Sequence, residues 1–289
     1  MGIRIEALAE TAGCTLGARV FGVDVRSLDE TEWRAVHAAF LEYGLLLFAD
    51  QALSAAEQAD FASRFGTIEV LVEDMTTIPL SNKALAGGTL ETDTFQMQLL
   101  RGNEGWHTDS SYMPLAAKAS VLSAQVVPDA GGETEWADAR AAYDALDPAL
   151  RERIASLNAY HSYFYSQGRM GHEVEAGAGY GFFEGEPPLR SLVKVHPETG
   201  RSALYIGRHA CRIPGMDEAE SEALLDELTA FTCQPPRVYR HRWTVGELAV
   251  WDNRCLLHRA RPYDYRTTRV MMHTRVAGER GSELALNAA

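Results

Sequence analysis

Apolar residues recur along this chain with two different periods, and the changes of period mark where elements begin and end. Short alternating or continuous apolar runs predict strands at 4–8, 18–25, 45–48, 119–127, 192–196, 201–207, 238–243, 248–251 and 269–276. Runs of helical period predict helices from Asp29 to Gly44, from Ser54 to Phe65, over 138–150, over 152–157 and over 217–231. The first two carry their own start signals: Asp29 is followed three residues on by Glu32, and Ser54 by Glu57, the spacing of a capping box. Gly44 and Gly66 read as their stops. Pro197-Glu198-Thr199-Gly200 joins two strands as a hairpin turn, and Asp129-Ala130-Gly131-Gly132 is a second turn.

Two segments lack a clear period, 69–105 and 160–187. The first is long enough to read as an active-site lid, and both are expected to shape a pocket. Strands dominate the second half, helices lie between them, and neither a G-x-G-x-x-G nor a Walker motif occurs. A sandwich or barrel of strands with flanking helices fits this pattern better than a doubly wound sheet. The expectation is one α/β (α+β) domain over residues 1–289.

Composition narrows the partners. The net charge is −13, which argues against nucleic acid and against an anionic membrane surface. The opening Met1-Gly2-Ile3-Arg4-Ile5-Glu6 has early charges and no apolar h-region, so no signal peptide is expected. No apolar run approaches the length of a bilayer span. Cys14, Cys211, Cys233 and Cys255 show no C-x-x-C spacing, and a reduced, cytoplasmic compartment is the simplest reading. A small molecule is the expected partner, and a homo-oligomer is compatible with everything above.

The chemistry concentrates in Trp106-His107-Thr108-Asp109-Ser110 and in the stretch from Trp251-Asp252-Asn253-Arg254 through His258 to Arg269. If His107 and Asp109 lie on a strand they share one face, side by side. With His258 they make two imidazoles and one carboxylate, the facial set of non-haem Fe(II) oxygenases. Taken alone, a His-x-Asp pair is common in a chain with 9 His and 40 acidic residues. Arg269 raises its weight. Arg269, Met271, His273 and Arg275 alternate along one strand, so they share a face. Two Arg and one His on such a face are costly unless they bind anions, and a guanidinium grips a carboxylate with two parallel hydrogen bonds.

These motifs, with Gly131-Gly132-Glu133-Thr134, Ala141-Ala142-Tyr143-Asp144-Ala145-Leu146 and His196-Pro197-Glu198-Thr199-Gly200-Arg201, resemble the taurine dioxygenase/2,4-dichlorophenoxyacetate dioxygenase family. Tyr205-Ile206-Gly207-Arg208-His209-Ala210 and Ile213-Pro214-Gly215-Met216 are most similar to its aryloxyalkanoate branch, the phenoxypropionate type in particular. The resemblance implies a double-stranded β-helix (jelly roll) core. It implies Fe(II) on His107, Asp109 and His258, and 2-oxoglutarate held by Thr134 and Arg269 beside Trp251, with O2 as oxidant. It implies oxidation of a carboxylate-bearing substrate, with ether cleavage to a phenol and a 2-oxo acid and release of succinate and CO2. In the taurine type an Arg four residues after the co-substrate Arg binds the substrate anion. Here that position is His273, which disfavours a sulfonate. Arg208 is the expected clamp for a substrate carboxylate, with Arg275 second and Asn103, His209 and Tyr112 as further contacts. The rival readings are the same oxygenase chemistry on another carboxylate or natural product, and a non-catalytic metal-binding protein of this fold.

Overall fold

The computed structural model describes residues 2–9 and 15–288; Cys14 lies outside them. Helices pack beside sheets of mixed pairing, so the chain is of the α/β type. The large sheet has eight strands. Seven run in the order Arg4–Ala7, Ala18–Phe21, Leu45–Phe48, Leu248–Asp252, Ala117–Val126, Val270–Ala277 and Ile68–Glu69, and Ile78–Ser81 also pairs with Val270–Ala277. A three-stranded sheet has Thr134–Asp138 between Val238–His241 and Leu256–Ala260. Smaller pairings are the hairpin Val193–Val195 with Ser202–Leu204, and Asn158–His161 between Ala210–Cys211 and Leu189–Ser191.

Strand Leu45–Phe48 shows how the sequence builds this. All four residues are buried, because each face of the strand meets its own core. Leu45 and Leu47 pack with Trp136, Trp251, Leu257 and Met271, where the two larger sheets meet. Leu46 and Phe48 pack with Phe40, Phe61, Phe65, Val121 and Val250 beneath the first helices. The strand runs parallel to Ala18–Phe21, and a parallel pair needs a crossover. Helix Glu30–Tyr43 supplies it, capped reciprocally by Asp29 and Glu32 as expected, and Gly44 stops it in the left-handed region at φ 71°. The Ser54–Glu57 capping box also forms, opening helix Ala55–Ser63.

Other expectations need correction. The helix expected over 138–150 is two helices, Ala139–Asp144 and Pro148–Ile154. Pro148 has no N–H to continue the first helix but suits the first turn of the next, where Asp147 accepts from the Ala149 amide at 2.9 Å. Segment 69–105 is not structureless. It contains strand Ile78–Ser81, which tolerates Pro79 because it is an edge strand, and helix Phe95–Gly102, capped by Thr94. The strand expected over 18–25 ends at Phe21, where Gly22 turns at φ 76°. Strands Thr134–Asp138 and Asn158–His161 were not expected at all. Among the described residues no helix is long and apolar enough to cross a membrane.

Candidate active site

Strand Leu256–Ala260 sets the frame. One edge pairs with Thr134–Asp138, and the other receives a single antiparallel bridge from His107. The His107 amide donates to the His258 carbonyl at 3.0 Å, and the His258 amide donates back at 2.8 Å. That bridge brings the two imidazoles to 4.2 Å between centroids. Asp109 arrives differently from the expected strand alternation. The chain turns after His107, with Ser110 at φ 53°, and the Asp109 amide donates to Asn253 Oδ1 at 3.2 Å. The ligand atoms of His107, Asp109 and His258 consequently all lie within 4.8 Å of one another, and all three residues are buried.

Burial keeps both imidazoles neutral. It pushes His107 down to about 4, against a weaker opposing pull from Asp109, and His258 falls well below the usual histidine range for the same reason. Burial would raise the Asp109 carboxyl, but Arg275, His258 and His273 together hold it well below the usual carboxylate range. Neutral imidazoles and an ionised carboxylate are the forms that coordinate a metal. His107 Nδ1 lies 2.7 Å from the Gly105 carbonyl, which fixes the N–H there and leaves Nε2 as a lone pair facing Asp109. Ser120 Oγ donates to Asp109 Oδ2 at 2.6 Å and accepts from Asn253 Nδ2 at 2.9 Å. Trp251 Nε1 donates to Asn253 Oδ1 at 3.1 Å.

The three residues open onto a cavity of about 60 Å³ that also includes Asn103, Thr134, Trp251, Arg269, His273 and Arg275 in its wall. Arg269 is buried there. Its Nε donates to the Gly132 carbonyl at 3.2 Å, while its two terminal nitrogens hydrogen-bond to no described residue. Desolvation with no carboxylate partner draws this guanidinium down to about 10. Thr134 Oγ1 accepts from Trp243 Nε1 at 2.9 Å, so its own proton remains free to donate. A guanidinium in this state is a prepared anion site. Tyr263 and Tyr265 also line the cavity; no motif had pointed to them.

A second cavity of about 400 Å³ adjoins the first, sharing Leu80, Leu100, Asn103 and Arg275 with it. Its wall is largely apolar and aromatic. Tyr112 stacks on Tyr163 at 4.4 Å, and Tyr163 on Phe182 at 4.5 Å. Arg275 stands at the junction, with Nη2 2.9 Å from Asp109 Oδ1.

Arg208 is not where a clamp was expected. It lines neither cavity, and its guanidinium donates to the backbone carbonyls of Gly102 and, at 3.0 Å, Ser166. It ties helix Phe95–Gly102 to helix Tyr163–Gly168. His209 also lies outside both walls, behind His107, with Nδ1 on Ser166 Oγ at 2.9 Å. Ser120 and Asn253 were missed as candidates. Asn253 sits inside the quoted motif, two residues after Trp251, whereas Ser120 carries no sequence signal.

The family model for "Taurine catabolism dioxygenase TauD, TfdA family" matches residues 4–275. An (S)-phenoxypropionate/alpha-ketoglutarate-dioxygenase of Sphingobium herbicidovorans is 51% identical over 278 residues, covering 94% of this chain and 95% of that one. An alpha-ketoglutarate-dependent 2,4-dichlorophenoxyacetate dioxygenase of Cupriavidus pinatubonensis is 39% identical over 259 residues, 86% and 89% of the two chains. The crystal structure of AAD-2 in complex with Mn(II) and N-oxalylglycine superposes with a TM-score of 0.88 at 38% identity, covering 96% of this chain and 98% of that one.

Proposed function

The chain belongs to the TauD, TfdA dioxygenase family, and from that premise we propose that its two cavities take 2-oxoglutarate and an aryloxyalkanoate beside the three residues that would hold Fe(II). It is an Fe(II)- and 2-oxoglutarate-dependent dioxygenase, an oxidoreductase acting on a small molecule. The observation that carries the assignment of the site is the sharing of one cavity wall. Two neutral imidazoles and a carboxylate within 4.8 Å face the same space as a buried guanidinium with no carboxylate of its own. That donor set fits Fe(II).

In this reading His107, Asp109 and His258 hold the metal. Bound there with 2-oxoglutarate, it supplies the activation of O2 and the oxidation of one substrate C–H, with succinate and CO2 released. The remaining work belongs to the chain. Arg269 and Thr134 hold the distal carboxylate of 2-oxoglutarate. Trp251, whose N–H is taken by Asn253, forms an apolar wall between His258 and His273. Arg275 grips the substrate carboxylate, with Asn103 and His273 beside it, and the Tyr112–Tyr163–Phe182 stack receives the aryl ring and excludes water. A carboxylate fixed at one end and a ring at the other aim the carbon between them at the iron. A hydroxyl placed on a carbon that bears an aryl ether oxygen collapses to a phenol and a 2-oxo acid. Arg208 acts through the segment it straps down.

The fold fits a jelly roll whose halves are the sheets meeting at Trp136 and Trp251, 5.8 Å between rings, in a single domain with part of 69–105 as a lid. Cys211, Cys233 and Cys255 are unpaired, which supports a reducing, cytoplasmic setting. The test is succinate release under air with Fe(II) and 2-oxoglutarate, across both enantiomers of a 2-phenoxypropionate, a phenoxyacetate, taurine and an alkyl sulfate. Succinate matched one-to-one by phenol from a phenoxy acid is the expected result. Succinate at the same slow rate whatever is added would discard the aryloxyalkanoate assignment.

A further inference from the structure

Residues 176–181 read Ala-Gly-Ala-Gly-Tyr-Gly, and Tyr180 is their one large side chain. Residues 175–179 are exposed, while Tyr180 turns inward and lines the second cavity. Gly181 makes that approach possible. A Cβ there would lie 2.4 Å from Tyr112 Cε2 and 2.8 Å from Tyr163 Cδ1, and its φ is +86°. The segment therefore lies flat on the aromatic stack, and only glycine permits it.

The phenol of Tyr180 donates to Glu69 Oε1, and Ser110 Oγ donates to Glu69 Oε2 at 2.8 Å. One carboxylate thus takes both hydroxyl protons. With its proton committed, Ser110 Oγ is an acceptor toward Arg275 Nη1, 3.2 Å away. The Tyr112 hydroxyl lies 3.4 Å from the same Nη1. The Arg275 fork is thereby split: Nη1 is drawn to Ser110 and Tyr112, and Nη2 is the nitrogen nearest Asp109, 2.9 Å from Oδ1. Without that pull, a flexible guanidinium beside a buried carboxylate would turn both nitrogens onto Asp109, since the bidentate pair is the stronger one. The Tyr180 ring also lies 5.9 Å from the Arg275 guanidinium carbon.

We propose that Tyr180, clasped by Glu69, is a positioning residue that holds Arg275 across the boundary of the two cavities, so that its fork faces the substrate carboxylate rather than closing on Asp109. This rests on the assignment of Arg275 as the substrate clamp. It makes the strap 176–181, outside the 69–105 segment, the element that sets substrate affinity.

The test compares Tyr180→Phe, Glu69→Gln, their double variant and Arg275→Gln as Fe(II)-loaded full chains. The readouts are KM for a phenoxypropionate, KM for 2-oxoglutarate, the succinate-to-phenol ratio and the melting temperature. Tyr180→Phe keeps the ring and loses one charge-assisted hydrogen bond. It should raise the phenoxypropionate KM roughly tenfold, leave the 2-oxoglutarate KM unmoved and raise the succinate-to-phenol ratio above one. The double variant should be no worse than the larger single, because both changes open the same clasp. Wild-type KM and coupling in Tyr180→Phe, with a raised phenoxypropionate KM in Arg275→Gln, would overturn the clasp and leave the clamp standing. An unaltered phenoxypropionate KM in a folded Arg275→Gln would remove the clamp and the clasp with it. Equal rises in both KM values with a lowered melting temperature would make Tyr180 structural only.

Discussion

Two buried clusters in this molecule contain the same chemistry and face opposite fates. His107, Asp109 and His258 form one; His196, Asp252 and Cys255 form the other, and in each the ligand atoms lie within 4.8 Å of one another. In the second cluster every strong donor and acceptor is already engaged. His196 Nδ1 accepts from the amides of Glu198 and Thr199, both at 3.2 Å, so its Nε2–H is turned to Asp252 at 3.0 Å. Arg254 grips both oxygens of Asp252, at 2.8 and 2.6 Å. Burial pushes the Cys255 thiol up, away from thiolate. In the first cluster Arg275 Nη2 lies 2.9 Å from Asp109 Oδ1, while His107 Nε2 and His258 Nε2 face Asp109 at 4.0 and 3.5 Å and hydrogen-bond to no described residue. Residue type and proximity are shared; unoccupied lone pairs are not. A His/Asp cluster holds a metal only where its acceptors are left open, and this chain closes one and opens the other.

Breaking the closed cluster should have the larger effect on stability. Arg254→Ala leaves Asp252 buried without its main partner, and it should cost about 3–5 kcal/mol in urea unfolding while iron affinity per folded chain is retained. Loss of iron affinity with full stability would invert the comparison. Ser120→Ala acts on the open cluster from behind, removing the hydroxyl that orients Asp109. Iron affinity should weaken roughly tenfold, with the 2-oxoglutarate KM unchanged, as read by competition with a chelator.

Another buried histidine sharpens the contrast, being neither open to a cavity nor paired. His161 stacks on Tyr205 at 5.6 Å, both its ring nitrogens lack partners, and burial takes it down to about 3. Its unfolded value is about 6.5. Above that pH both states are neutral there. Below it the unfolded chain takes a proton that the folded chain refuses, so stability falls as pH drops from about 6.5 toward 3. His161→Phe should change little at pH 7 and lose less stability than the parent between pH 7 and pH 4.5. The remaining fall belongs to His107 and the other buried imidazoles. Equal falls in both proteins, measured by urea midpoints, would show that His161 is not held neutral.

The sequence made local features legible wherever one rule acted alone. The Asp29–Glu32 and Ser54–Glu57 caps are short-range, and the structure forms both. The alternation of Arg269, His273 and Arg275 placed three polar residues on one cavity wall because strand period is rigid. Strand Thr134–Asp138 escaped notice because it is buried on both faces, so Thr, Glu and Asp stand where alternation would show apolar residues. Its Glu135 is matched by Arg240 and Arg259 from the flanking strands, a pairing invisible along the chain. Arg208 was expected as a clamp from its place at a strand end, which does not say where its side chain points. Its real partners are backbone carbonyls, which carry no residue identity. Ser120 was illegible for the converse reason: a serine inside an apolar strand acquires its role only when the chain folds Asp109, on the turn 11 residues earlier, back against it.

Equilibrium binding of iron to Asp109→Ala and His196→Gln decides which of the two clusters takes the metal. One iron per chain is expected in the parent and in His196→Gln, and none in Asp109→Ala at the same free iron concentration. One iron per chain in a folded Asp109→Ala, with binding lost in His196→Gln, would contradict that and move the metal to the cluster described here as closed.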